Sequence, residues 1–209
     1  MDPVLLVLDG QASPPELLSS PQRLRREIAK EGGHLIELVA ATPELTSAAL
    51  AGPRELSAGL GAAVPSTWPP MFLDPPALEY TLERLAQGPD QADWWLYFVV
   101  LVTDEGCRTL VGSGGYKGPP AVDGTVEVGY GIVRDHQRCG YASDTVRALL
   151  NRALALPQVH RAIAETLPEL GPSIGVLRKC GFRLIGEGSE PGVIRFELTR
   201  AEFTSACSR

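Results

Sequence analysis

Two groups of residues in one short stretch have the types and spacing for chemistry. In TVEVGYGIV, Thr125–Val133, the carboxylate of Glu127 stands among valines and glycines. A charge in such a run is costly to bury, so it needs a partner or a task. One task open to it is proton transfer, because a positioned carboxylate accepts a proton from an ammonium group directly or through water. The competing reading is a charge on the solvent side of a strand, or one paired with an arginine. Just downstream, RDHQRCGYAS carries Arg134, His136, Gln137 and Arg138 and then opens a helix. The first turn of a helix leaves backbone N–H groups without partners at the positive end of its dipole. Gly140 and Ala142 let main chain approach a ligand closely, Gln137 offers hydrogen bonds and Arg138 adds a charge. Such a loop can hold a phosphate-bearing anion; the plainer alternative is a strand-to-helix turn with solvated arginines.

The strand that leads into this loop is patterned for the same purpose. Glu127, Gly129, Gly131 and Val133 share one face, and Val126, Val128, Tyr130 and Ile132 share the other. A face with two glycines and a carboxylate makes a poor core but suits a surface where something else must fit.

The elements around it can be read in order. HLIELVAATPEL predicts a strand over Leu35–Ala40, then a helix capped by Thr42-Pro43-Glu44. A second short helix, RELSAGLG, follows. The prolines of VPSTWPPMFLDPP exclude regular structure, and ALEYTLERLAQG is a helix with a glycine stop. WWLYFVVLV, from Trp94, is apolar throughout and predicts a strand buried on both faces. RTLVGSGGYK pairs with it through the turn EGC. After Thr125–Val133 come the helix SDTVRALLNRALAL, the strand HRAIAETL, the helix SIGVLRKCG and a closing hairpin, FRLIGEG and VIRFELTR. The fold class is therefore α/β with a mixed sheet of six to seven mostly antiparallel strands, a central βαβ unit and flanking helices. Residues 1–33 read as an N-terminal extension, with a short charged helix in QRLRREIAKEGG, and residues 34–203 as one domain.

Composition sets the limits. The chain has 209 residues, 44% hydrophobic and 21% charged, with a net charge of −6. An acidic balance argues against a broad nucleic-acid face. Cys107, Cys139, Cys180 and Cys207 show no metal-type spacing, so no metal is expected. VLLVLDG is too short to span a membrane. The expectation is a cytoplasmic protein, monomer or homodimer, with no nucleic-acid or membrane partner.

The hexapeptide Gln137–Ala142 resembles the Q/R-x-x-G-x-G/A signature of the GCN5-related N-acetyltransferases. TVEVGYGI before it, AETLPE in the next strand and SIGVLRKCGF in the next helix fall in that family's order and spacing. The likeness covers roughly residues 35–200. It looks most like the group that includes ribosomal-protein N-terminal acetyltransferases. The resemblance implies acetyl-CoA as co-substrate. It places the pyrophosphate on Arg138, Cys139, Gly140, Tyr141 and Ala142, with Gln137, Ser143 and Lys179 nearby, and the pantetheine along the backbone of Ile132 and Val133. The splay of two central strands would make room for it. An amide of Ile132 or Val133 would polarise the thioester carbonyl.

The acetyl acceptor implied is a primary amine of a small molecule or of a protein or peptide N-terminus. Glu127 is the candidate base. The family's tyrosine acid position is filled by Leu177, and its helix-start asparagine position by Leu170. Ser173 matches a serine that the ribosomal-protein group uses near the thiolate, and it equally suits an N-cap after Gly171-Pro172. Tyr130 lies on the face away from Glu127 and is set aside unless the strand bulges. Loss of the tyrosine leaves a second reading open, a catalytically inactive CoA-binding sensor. Acceptor recognition is expected from residues 59–76 and 186–192, which carry Trp68, Phe72, Asp74, Glu187 and Glu190.

Overall fold

The computed structural model describes residues 24–25 and 34–207. The rest of the N-terminal extension lies outside the described residues. Of the charged helix expected over QRLRREIAKEGG, only Leu24–Arg25 is described. It is a two-residue strand, β1, paired with Leu38 and Glu37 rather than a helix.

The remaining strands are β2 (His34–Ala40), β3 (Leu96–Thr103), β4 (Arg108–Tyr116), β5 (Thr125–Ile132), β6 (Arg161–Thr166), β7 (Arg183–Glu187) and β8 (Ile194–Thr199). They form one sheet in the order β1-β2-β3-β4-β5-β6-β8-β7. Every neighbouring pair is antiparallel except β5 and β6, which run parallel. The mixed sheet read from the sequence is present, with β1 as an eighth strand. The helices are α1 (Pro43–Ala51), α2 (Pro53–Leu60), α3 (Pro75–Leu85), α4 (Tyr141–Leu154), α5 (Gly171–Lys179) and α6 (Arg200–Cys207). Among the described residues no helix is long and apolar enough to cross a membrane.

Local chemistry explains the boundaries. Thr42 Oγ1 accepts from Leu45 N at 3.2 Å and Asp74 Oδ1 from Ala77 N at 3.0 Å, each followed by a proline in the first turn. The tryptophans expected to begin β3 fall outside it. Trp94 closes a 3-10 turn, Pro89–Trp94, and Trp95 follows that turn. Their carbonyls accept from Gly118 N and Tyr116 N at the far end of β4.

Two cores sandwich the sheet. One face buries Phe98, Val100 and Leu110 against Leu56, Leu60, Leu78 and Leu85 of α2 and α3. The other buries Val99, Val111, Val126 and Val128 against Val146, Leu149, Leu150 and Leu154 of α4, with Leu177 of α5 in the same cluster. The helix between β5 and β6 thus lies on one face and α1–α3 on the other. This leaves the C-terminal end of β5 as the place where the chain enters α4.

Candidate active site

β5 has two backbone edges, and they are used differently. Lys117 N donates to Glu127 O at 2.9 Å, and Val133 N donates to Val111 O at 3.0 Å. Odd-numbered residues of this strand therefore aim their main chain at β4, and even-numbered ones aim theirs the opposite way. On that opposite side β6 pairs only with Thr125, Val126 and Glu127. Beyond Glu127 the parallel strands part. The Val128 N–H closes the last link to β6, so the Val128 C=O and the N–H and C=O groups of Tyr130 and Ile132 face a cleft, and Gln137 Nε2 donates to Ile132 O at 3.0 Å. Of the two residues expected to offer backbone here, Ile132 is turned toward the cleft. Val133 is not, because its amide is already spent on β4, so the polarising amide cannot come from it.

The cleft ends at the mouth of α4. Arg134–His136 make a single 3-10 turn. Arg138 (φ 62°) and Gly140 (φ 85°) both adopt the left-handed region, where glycine is at ease and arginine is not. Backbone strain of this kind concentrates at ligand sites. Gly140 is the N-cap of α4, and no side chain caps the helix, the setting in which a helix start can meet an anion. Gln137, Arg138 and Cys139 are exposed around it, and Tyr141 and Ala142 are half-buried. Burial pushes the Tyr141 phenol above its ordinary value.

Ser143 is placed differently from its neighbours. It is buried at the seam of α4 and α5, where its carbonyl accepts from Cys180 Sγ at 3.6 Å. The same contact brings Lys179, exposed in the last turn of α5, close to the first turn of α4. Burial raises the Cys180 thiol, and the charges of Arg147 and Lys179 pull it down. A left-handed loop, uncapped amides, two cationic side chains and an open strand edge together fit a diphosphate joined to an extended amide chain.

The two faces of β5 meet different surroundings. Glu127 is half-buried and its Oε1 is in direct contact with Lys117 Nζ. A Cβ at Gly129 would meet nothing within 4 Å, whereas one at Gly131 would lie 3.1 Å from Pro70 Cβ. The proline-rich loop thus seats against Gly131. Thr67 Oγ1 anchors it by donating to Asp135 Oδ2 at 3.2 Å. The space over Gly129, beside the Glu127 carboxylate, stays open. Of the residues expected to recognise an acceptor, Trp68 packs on Phe98 with ring centroids 6.0 Å apart and Asp74 caps α3. Phe72 stands exposed with φ 68°, and Glu187 and Glu190 lie exposed at the β7–β8 hairpin. Among the described residues, no group of three or more His, Cys, Asp or Glu is placed to hold a metal ion.

On the other face the structure joins two residues that the sequence kept apart. Tyr130 Oη donates to the Ser173 carbonyl at 3.1 Å and lies 3.1 Å from Ser173 Oγ. The phenol has one proton and the carbonyl can only accept, so both contacts are satisfied when the Ser173 hydroxyl donates to Tyr130. No bulge in β5 is needed, because α5 comes to the Tyr130 face. Burial pushes the Tyr130 phenol up to about 12, with the Ser173 hydrogen bond opposing. Ser173 is not the N-cap that its Gly-Pro setting suggests. The cap is Leu170, without a side-chain bond, and Ser173 sits inside the first turn. Leu177 is 1% exposed and belongs to the core. This pair escaped sequence reasoning because 43 residues separate its members and no local pattern links them.

A family model described as an acetyltransferase (GNAT) domain matches residues 62–183, more than half of the chain. Among curated proteins, the uncharacterized N-acetyltransferase YjdG of Bacillus subtilis is 32% identical over 81 residues, covering 39% of this chain and 48% of the relative. The chain spans 48% to 61% of the curated relatives it matches. Among solved structures, a spermidine N-acetyltransferase chimera from Vibrio cholerae and hSSAT superposes with a TM-score of 0.56 at 13% identity, over 81% of this chain and 98% of that one. The microcin self-immunity acetyltransferase MccE, in complex with acetyl-CoA and AMP, gives 0.54 at 12% identity, over 78% and 92%. At these identities the two structures speak to the fold.

Proposed function

The chain belongs to the acetyltransferase (GNAT) domain family, and on that premise we propose that it is an acetyl-CoA-dependent N-acetyltransferase acting on a primary amine by direct transfer. The observation that carries this reading is the parting of β5 from β6 beyond Glu127, with the uncapped end of α4 at its far side. Acetyl-CoA supplies an activated thioester. The amides of Tyr141 and Ala142, with Arg138 and Lys179, bind the diphosphate. The backbone of Tyr130 and Ile132 orients the pantetheine as an added strand, and an amide on this edge polarises the thioester carbonyl. Residues 34–203 form the working domain.

Glu127 takes the proton of the acceptor ammonium in the open space over Gly129. The Ser173 hydroxyl turns its one proton from Tyr130 to the departing sulphur, while Tyr130 keeps its hydrogen bond to the Ser173 carbonyl and so holds Ser173 in place. These hydroxyls do not supply the proton themselves. A phenol pushed up to about 12 is a far weaker acid than a thiol near ~8.5. The acceptor is a small molecule or a protein N-terminus, the latter in keeping with the likeness to ribosomal-protein N-terminal acetyltransferases.

One observation favours a second reading, a CoA-binding sensor without turnover: the usual acid position is Leu177, deep in the core. A thiol-release assay separates the two. The purified protein is mixed with acetyl-CoA and a panel of N-terminal peptides, polyamines and small amines. Thiol release well above buffer for at least one amine supports the transferase. Acetyl-CoA binding with no release for any of them would replace it with the sensor.

A further inference from the structure

Glu127 already holds an amine of this chain. The ε-ammonium of Lys117 contacts Oε1 of Glu127 directly. Lysine is scarce here: Lys30, Lys117 and Lys179 are the only ones among 19 basic side chains. Glu37, Asp93, Glu165 and Glu197 all pair with arginines. Arginine would serve Glu127 equally as a counter-ion, and its guanidinium stays charged. Lysine differs in that it can lose its proton and attack a carbonyl.

The backbone fixes this encounter. Lys117 N donates to Glu127 O at 2.9 Å, and its neighbours Tyr116 and Gly118 donate to the carbonyls of Trp95 and Trp94. Only the flexible side chain of Lys117 is left to move. It is 62% exposed, against 20% for Glu127, and it meets the carboxylate that shares a strand face with the open position at Gly129.

We propose that Lys117 is a self-acetylation site: without an external amine, the enzyme transfers an acetyl group to the Lys117 ε-amine. This rests on reading Glu127 as the base and acetyl-CoA as the donor. Glu127 takes one proton from the ammonium. The nitrogen lone pair then attacks the thioester carbonyl carbon. The N–C bond forms, the C–S bond breaks, and the sulphur leaves as thiolate with the electron pair. The nitrogen gives up a second proton to solvent and becomes a neutral amide. The product no longer neutralises Glu127, whose carboxylate is then free to hold a cationic acceptor. Acetylation of Lys117 therefore primes the site.

The test incubates full-length protein with acetyl-CoA alone and maps acetyl groups by peptide mass spectrometry. Acetyl-CoA binding and turnover of added amines are measured in parallel. The expected result is acetylation of Lys117 at a rate constant independent of protein concentration and at least about tenfold above that of Lys179 or Lys30. In Glu127→Gln it falls about 100-fold, the low end of what a positioned base contributes. Lys117→Arg should abolish acceptor-free thiol release. If Lys117 reacts no faster than the other lysines, or equally fast in Glu127→Gln, while added amines are acetylated, the self-acetylation is overturned and the transferase stands. If acetyl-CoA neither binds nor yields thiol, both fall.

Discussion

The two faces of β5 are built on opposite rules. On one, Val126, Val128 and Ile132 are buried and Tyr130 reaches across to α5. Each side chain there fills space. On the other, Glu127 is followed by two glycines, and the space over Gly129 stays empty. One strand thus packs the core with its even residues and keeps room with its odd ones. Its edges divide in the same way, since odd-numbered backbone closes on β4 while even-numbered backbone opens on the cleft. A strand face that looks badly designed for burial is a reserved volume, and in the proposed function Glu127 is the group that uses it.

Breaking the open face should cost activity without stability. Glu127→Gln should lower kcat/KM for the amine by about 100-fold or more, with acetyl-CoA affinity measured by calorimetry unchanged. An equal loss of acetyl-CoA binding would place Glu127 in the cofactor site instead. A paired substitution sharpens the contrast. Val128→Ala should lose about 2 kcal/mol in denaturant unfolding through the cavity it leaves. Gly129→Ala, whose Cβ meets nothing, should keep the Tm and raise KM for the amine several-fold. Reversed behaviour of this pair would mean that the faces have been assigned the wrong way round.

The packed face carries smaller effects. Ser173→Ala should lower kcat about tenfold, and Tyr130→Phe about threefold, in line with the loss of one hydrogen bond. If Tyr130 acts through Ser173, its substitution should add nothing in a Ser173→Ala background; additive losses would make it merely structural. The last effect is on alkaline stability. Tyr130 titrates at about 12 in the fold against an ordinary 10. Its contribution is complete below pH ~10 and is lost as pH rises toward ~12. Tyr130→Phe should flatten part of the decline in stability over that window.

Much of this was legible in the sequence because it rests on local rules. Thr42 and the prolines announce helix starts, and alternation along Thr125–Val133 separates the two faces. QRCGYA before a helical pattern marks the turn into α4. The tryptophan pair hid a 3-10 turn, because an apolar run looks continuous whether or not its first residues join the sheet. α6 carried a signal that went unused. Thr199 and Glu202 form a capping box, with Thr199 N donating to Glu202 Oε2 at 2.8 Å and Glu202 N to Thr199 Oγ1 at 3.3 Å. Lys117 beside Glu127 follows from hairpin register, since Tyr116 pairs with Val128. The length of the connecting turn alone does not fix that register. The meeting of Tyr130 with Ser173 depends on how α5 docks, which no local pattern encodes.

The central claim is that the even-numbered edge of β5 and the mouth of α4 form one binding surface for acetyl-CoA. Amide hydrogen exchange followed by NMR, with and without acetyl-CoA, tests it residue by residue. The account predicts slower exchange at Tyr130, Ile132, Tyr141 and Ala142, and no change at Val128, whose amide pairs with β6, or at Gly129, Gly131 and Val133, whose amides face β4. Protection confined to the odd-numbered amides, or none along β5 at saturating acetyl-CoA, would contradict it.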